Sequence, residues 1–174
     1  MWKLRKGKPK LVALLIVIIP FLTIQFFGMT DSNYPDLPFN PSVILLMFIL
    51  TWTFDSFAYL VGKKLGKTKI MPTISPKKSW EGFFGGYLFC ILAGSLSYFV
   101  FEDYFNHISI LSYILITVIL PFTATTGDFI ESYYKRKAGV KDSGKIMPGH
   151  GGILDRMDAF LITIPVIYII ININ

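Results

Sequence analysis

Between Gly127 and Asp158 the chain gathers five acidic residues, six basic residues and a histidine in one glycine-rich stretch, GDFIESYYKRKAGVKDSGKIMPGHGGILDRMD. Read as a helix, Asp128, Glu131, Ser132 and Lys135 fall at i, i+3, i+4 and i+7, on one face. Two carboxylates, a hydroxyl and an ammonium in one stripe suit a divalent cation with an anionic ligand beside it. Magnesium takes oxygen ligands and is usually held by one or two carboxylates plus substrate phosphates. The same spacing also suits plain surface ion pairs, with Glu131 and Lys135 at i, i+4. Asp155 and Asp158 form a second pair, at i, i+3 where another helix begins. They read either as carboxylates stabilised by the helix macrodipole or as metal ligands. KDSGKIMPGHGG joins the two groups. Its glycines let backbone N–H groups approach an anion, and Lys141, Lys145 and His150 add positive or donor groups. That is a phosphate cradle by composition, without the spacing of a Walker A loop.

Two upstream features belong to the same chemistry. Asp55 stands inside an apolar run, WTFDSFAY. An ionisable residue at membrane depth normally faces a polar cavity or a partner, and the alternative is a structural hydrogen bond to Ser56, Tyr59 or a neighbouring helix. The segment SPKKSWEG brings Ser75, Lys77 and Lys78, which suit phosphates or anionic headgroups but also fit the topological lysines common beside membranes. Carboxylates for a metal and lysines for phosphates point to phosphoryl or nucleotidyl transfer, where aligned cations do most of the work.

The elements that must position these residues are membrane helices. Apolar residues make up 53% of the chain, mean hydropathy is +0.56, and charged residues are 16%, against roughly 25% in soluble domains. We expect an all-α polytopic membrane protein, a single domain over 1–174. Its five spans are expected at about 11–28, 42–61, 82–101, 108–126 and 153–171, with polar loops at 62–81 and 127–152. The first is read as an uncleaved span rather than a signal peptide, since no small-x-small site follows it. Small residues at Gly85, Gly86, Ala93, Gly94 and Ser95 offer faces for close helix packing.

Charge tests this arrangement. All 17 Lys and Arg fall in three groups: five before the first span, six between the second and third, and six from Lys135 to Arg156, in and just after the 127–152 loop. The other two loops carry Asp31, Asp36, Glu102 and Asp103 instead. The positive-inside rule then puts the N-terminus, both basic loops and the polar site in the cytoplasm, and the C-terminus outside. A net charge of +6 distributed in this way sets topology, and no nucleic-acid partner is expected. Cys90 cannot form an intrachain disulfide, because it is the one cysteine, and it reads as a small core residue.

The pattern Ser132-x-x-Lys135-Arg136, four residues, Lys141-Asp142-Ser143-Gly144, then Pro148-Gly149-His150-Gly151-Gly152-x-x-Asp155-Arg156-x-Asp158 resembles the signature of the phosphatidate cytidylyltransferases, or CDP-diacylglycerol synthases. Asp55 with Ala58-Tyr59, Gly62, Gly66-Lys67, Ser75-Pro76-Lys77-Lys78 and Trp80-Glu81-Gly82 are similar to that family as well. The likeness runs from Trp52 to Asp158, well over half of the chain, and its long motif is highly specific. Tyr134 and Met147 depart mildly from it, and the length implies a short or N-terminally reduced member.

The resemblance implies attack of a phosphatidate oxygen on the α-phosphorus of CTP at the inner (cytoplasmic) membrane, giving CDP-diacylglycerol and diphosphate. It implies Asp128 and Asp155 as leading metal ligands with Asp158 and Asp142 next, and Ser132, Lys135, Lys141 and His150 on phosphates. Arg136 and Arg156 would do likewise or brace carboxylates, Lys77 and Lys78 would hold CTP or the lipid phosphate, and Ser75 and Asp55 would line the same site. Magnesium is the implied cofactor, and the resemblance allows a second, monovalent ion such as potassium and a homodimer. Three alternatives stay open: action on another lipid phosphate, as in a CDP-archaeol synthase; a small transporter using Asp55; and a catalytically silent interaction partner.

Overall fold

A computed structural model describes residues 9–24, 27, 41–140, 142–144, 152 and 154–173. Among these, the elements in chain order are α1 (Pro9–Ile24), α2 (Ser42–Leu65), β1 (Lys69–Met71), β2 (Ser75–Ser79), α3 (Trp80–Val100), α4 (Glu102–Phe105), α5 (Ile110–Lys137), α6 (Leu154–Met157) and α7 (Phe160–Ile173). Four described helices are long and apolar enough to cross a membrane: α2, α3, α5 and the Leu154–Ile173 run made by α6 and α7. α1 has 16 residues, about 24 Å at 1.5 Å per residue, shorter than a ~30 Å hydrocarbon core. The protein has the make-up of a polytopic membrane protein, with four such helices among the described residues against the five spans expected.

Its packing follows from lipid as solvent. Burying apolar side chains gains little against acyl chains, so close backbone approach and polar satisfaction hold the helices together. α3 lies on α2, α5 on α7, and α1 on α7. Small residues make the first contact: a Cβ on Gly86 would stand 2.7 Å from the Phe54 carbonyl oxygen, and one on Gly82 would stand 2.7 Å from that of Ala58. Gly94 sits in the same way against Thr117 of α5. Leu46, Leu50, Ile116, Leu120 and Ile167 fill the sealed centre, while Trp52, Leu96 and Phe99 project outward, as lipid-facing residues do. Pro121 lies inside α5 and has no N–H for the Thr117 carbonyl four residues back. The Cys90 thiol, fully buried, lies 3.9 Å from that oxygen and supplies a weak donor.

Two features depart from an all-helical plan. Part of the stretch expected as a basic loop is an antiparallel hairpin, with Lys69 opposite Ser79, Met71 opposite Ser75 and an irregularity between. An isolated two-stranded hairpin is marginal in water, and this one is tied to α3. Trp80 N–H donates to the Thr68 carbonyl at 2.9 Å, and the Thr68 N–H donates to both Glu81 carboxylate oxygens at 3.0 and 3.2 Å. Ser79 caps α3 by accepting from Gly82 N–H at 3.2 Å. The other departure is the run after the polar loop, which breaks into α6 and α7 at Asp158 and Ala159.

Candidate active site

α5 carries its apolar stretch straight into a polar one, so Asp128, Glu131, Ser132 and Lys135 share one helical face across the eight residues Asp128–Lys135. The helix stops just beyond. Gly139 adopts φ +70°, Gly139 N–H donates to Arg136 C=O, and Val140 N–H donates to Lys135 C=O, both at 3.0 Å. These are the paired bonds of a Schellman motif, which needs a residue free to adopt the left-handed region. Lys135, Arg136 and Lys137 in the last turn complement the helix dipole.

Gly127 brings the second carboxylate group to the first. With no side chain, it lets the Asp158 carbonyl seat against α5, where a Cβ would collide with that oxygen. The chain breaks at this point, with Asp158 Oδ1 accepting from Ala159 N–H at 2.7 Å. Asp128, Glu131 and Asp158 thereby converge, each offering a carboxylate oxygen within 4.8 Å of the others. Asp128 Oδ1 accepts from Ser132 Oγ at 3.0 Å, and its Oδ2 pairs with Lys78 Nζ at 2.5 Å. Glu131 is only 4% exposed. Lys135 Nζ stands 2.5 Å from Glu131 Oε2, but the angle makes no hydrogen bond, and neither carboxylate oxygen has a hydrogen-bond partner.

Asp155, expected beside Asp128 and Asp158 as a leading metal ligand, is differently engaged. Its Oδ1 accepts from Lys135 Nζ at 2.7 Å and Ser143 N–H at 3.1 Å. Its Oδ2 accepts from Ser143 N–H and Ser143 Oγ, both at 2.8 Å, and from Gly152 N–H at 2.7 Å. Gly152 lies so close to Ser143 and Gly144 that a Cβ there would collide with them. Asp155 therefore clasps both ends of the glycine-lysine-histidine loop. Within that loop, Lys141, Lys145 and His150 lie outside the described residues. Asp142 is exposed and is not in the converging group. Arg136, expected on a phosphate, donates to the Val140 carbonyl at 3.3 Å, and Arg156 is exposed on α6.

The hairpin and the end of α2 enclose a cavity of about 620 Å³. Lys63, Lys69, Lys77 and Lys78 line it, with Ser75, Tyr59 and one carboxylate, Asp55. Asp55 forms no hydrogen bond to Ser56 or Tyr59. It opens on this space, within the electrostatic reach of Lys78 and Asp128. Gly62, Gly66 and Gly82 form the floor, pressed against one another and against Ser79. Lys78 belongs to both places: it lines the cavity and pairs with Asp128. The chemistry this permits is recognition of a polyanion by four ammonium groups, next to a carboxylate trio whose spacing could hold a cation.

The helical stripe admits Glu131 beside Asp128 as a carboxylate for a cation, with an ion pair to Lys135 as the open alternative, and the resemblance assigns it no role. Glu81 and Ser79, which fix the hairpin, carry only ordinary capping and first-turn signals.

A family model described as the cytidylyltransferase family matches residues 2–174. A phosphatidate cytidylyltransferase of Staphylococcus aureus (strain COL) is 48% identical over 128 residues, 74% of this chain and 48% of the relative. One from Staphylococcus saprophyticus is 40% identical over 159 residues, 91% of this chain and 58% of the relative. One from Staphylococcus epidermidis (strain RP62A) is 46% identical over 128 residues. The chain spans about half the length of the curated relatives it matches.

Proposed function

We propose that this chain, which belongs to the cytidylyltransferase family, transfers the cytidylyl group of CTP to phosphatidate, forming CDP-diacylglycerol and releasing diphosphate. The observation that carries the reading is the sharing of Lys78 between a four-lysine cavity and a trio of carboxylates. A nucleoside triphosphate needs both, since cations must neutralise its phosphates and an aligned metal must sit on carboxylate oxygens. The printed names of the staphylococcal relatives support phosphatidate as acceptor. The lysines of the hairpin and of the α5 end support a cytoplasmic site by the positive-inside rule.

The trio fits a divalent cation on its own chemistry. A glutamate 4% exposed, ion-paired to Lys135 but with no hydrogen bond to either carboxylate oxygen, keeps lone pairs free for a cation, and burying them unused is costly. Asp128, Glu131 and Asp158 would hold the ion, and Asp155 acts as the loop anchor rather than a ligand. When bound, magnesium would supply charge neutralisation at the phosphoryl oxygens. The chain's own side chains do the rest. Lys63, Lys69 and Lys77 hold the triphosphate against the cavity floor, and close packing at Gly62 and Gly82 keeps that floor rigid. Ser132 orients Asp128. With the triphosphate fixed, a phosphatidate oxygen reaches the α-phosphorus from the membrane side, the new P–O bond forms, and the bond to the β-phosphate oxygen breaks to release diphosphate.

Reconstituting the chain in phosphatidate-containing vesicles with labelled CTP and magnesium tests the reading. Labelled CDP-lipid is expected from wild type and not from Asp128→Asn. Failure of wild type to form it, or full activity in Asp128→Asn, would defeat the proposal. Including the corresponding archaeal ether-lipid phosphate as a second acceptor separates the two lipid classes.

A further inference from the structure

We infer that Lys78 is a tethered counter-cation. Its ammonium occupies Asp128 while the carboxylate trio holds no divalent ion, and arrival of the ion frees it to take a phosphate in the adjoining cavity. The inference rests on the metal-binding reading above and adds a coupling that the reading does not require. It starts from a charge imbalance. Three carboxylates converge, one of them a buried glutamate without a hydrogen-bond partner. Two ammonium groups reach the cluster, and they differ in how they are held. Lys135 is fixed between Glu131 and Asp155 with a side chain 10% exposed. Lys78 is 30% exposed in its side chain, makes its one ion pair among the described residues with Asp128, lies over the Phe129 ring at 5.2 Å, and rides on β2 of the hairpin. It can leave, whereas Lys135 cannot leave without stranding two acids.

An ammonium on Asp128 Oδ2 and a divalent ion held by the trio share one carboxylate and repel each other across it. Binding of the ion therefore weakens the Lys78–Asp128 pair. The loosened side chain is not stranded, because its β2 position already borders the four-lysine cavity, where a nucleotide phosphate would receive it. By linkage, a nucleotide that draws Lys78 away must tighten ion binding, and the ion must tighten nucleotide binding by the same factor. Lys77 provides the contrast. It is exposed one position earlier on the strand, lines the same cavity, and forms no ion pair among the described residues.

The test is a manganese titration of the purified full chain in detergent, without nucleotide, with free Mn2+ read by electron paramagnetic resonance. Lys78→Met is expected to bind Mn2+ at least about fivefold more tightly than wild type, the lower end of typical coupling. Lys78→Arg, which keeps a strong cation on the carboxylate, is expected at or below wild-type affinity, and Lys77→Met close to wild type. Added CTP should tighten Mn2+ binding in wild type more than in Lys78→Met. Equal or weaker binding by Lys78→Met overturns the inference and leaves the metal site standing. An equal gain in Lys77→Met also overturns it, because the effect would then be general charge removal. Tighter binding by Lys78→Arg counts against it even if Lys78→Met does not fold. Absence of Mn2+ binding in wild type and every variant defeats the metal reading and this inference together.

Discussion

Asp155 and Asp158 sit three residues apart at one helix entrance, yet they serve opposite sides of the polar site. On the loop side, Asp155 meets Lys135, the Ser143 amide and hydroxyl, and the Gly152 amide, so both of its oxygens are filled. On the hairpin side, Asp158 accepts one neighbouring amide and faces two more carboxylates. Equal spacing and equal charge have produced a saturated loop anchor and a carboxylate that faces two others. What separates them is the count of donors against acceptors: a carboxylate saturated with donors organises protein, and one short of donors is left to bind a cation.

The largest effect should come from attacking the hairpin side. Asp158→Asn keeps the shape of the side chain and the bond to Ala159 but removes a charge from the trio. CDP-lipid formation should fall by about 10²–10³, the usual loss when an electrostatic contributor goes, with the melting temperature little changed. The loop side should respond in the reverse way. Asp155→Asn leaves Lys135 with less compensation and turns one acceptor into a donor facing Ser143 or Gly152. A loss of about 3 kcal/mol in unfolding free energy is expected, read by denaturant titration, with Mn2+ affinity unchanged in the folded fraction.

A smaller and mixed effect tests the notch that brings the two sides together. Gly127→Ala forces a methyl group against the Asp158 carbonyl, which costs about 1–3 kcal/mol as overpacking. It should also weaken Mn2+ binding, since Asp158 moves off Asp128. A Gly127→Ala protein with wild-type stability and ion affinity would show that the close approach does not matter. The smallest effect belongs to Glu81→Ala. It frees the exposed Thr68 amide, so hydrogen exchange at Thr68 should accelerate while the global melt stays where it is.

Much of this arrangement is written in local spacing, and the rest depends on contacts that spacing cannot carry. The apolar runs, the small residues of α3 and the stripe Asp128–Glu131–Ser132–Lys135 each follow from a helical period, so they were readable in the chain. Asp55 could be expected to face a cavity because a carboxylate inside an apolar helix has few other stable positions. The distinction between Asp155 and Asp158 was not readable, because the donors that fill Asp155 come from Lys135 and Ser143, far off in the sequence. Glu131 was legible on the stripe as a carboxylate for a cation, but its i, i+4 lysine left an ion pair as an equal local reading. The hairpin is not legible in the sequence, since its strands are three and five residues long, too short for a period of two to stand out among lysines and prolines. The close seat of Asp158 against Gly127 was not legible either, because the two residues lie 31 positions apart.

The account turns on which carboxylates hold the ion, and one measurement addresses that directly: the magnesium dependence of CDP-lipid formation in Glu131→Gln and Asp155→Asn proteins, reconstituted side by side. Glu131→Gln should need much more magnesium, or lose activity altogether, while the folded fraction of Asp155→Asn keeps the wild-type magnesium requirement. The reverse pattern, with Asp155→Asn displaced along the magnesium axis and Glu131→Gln unchanged, would contradict the assignment of anchor and ligand.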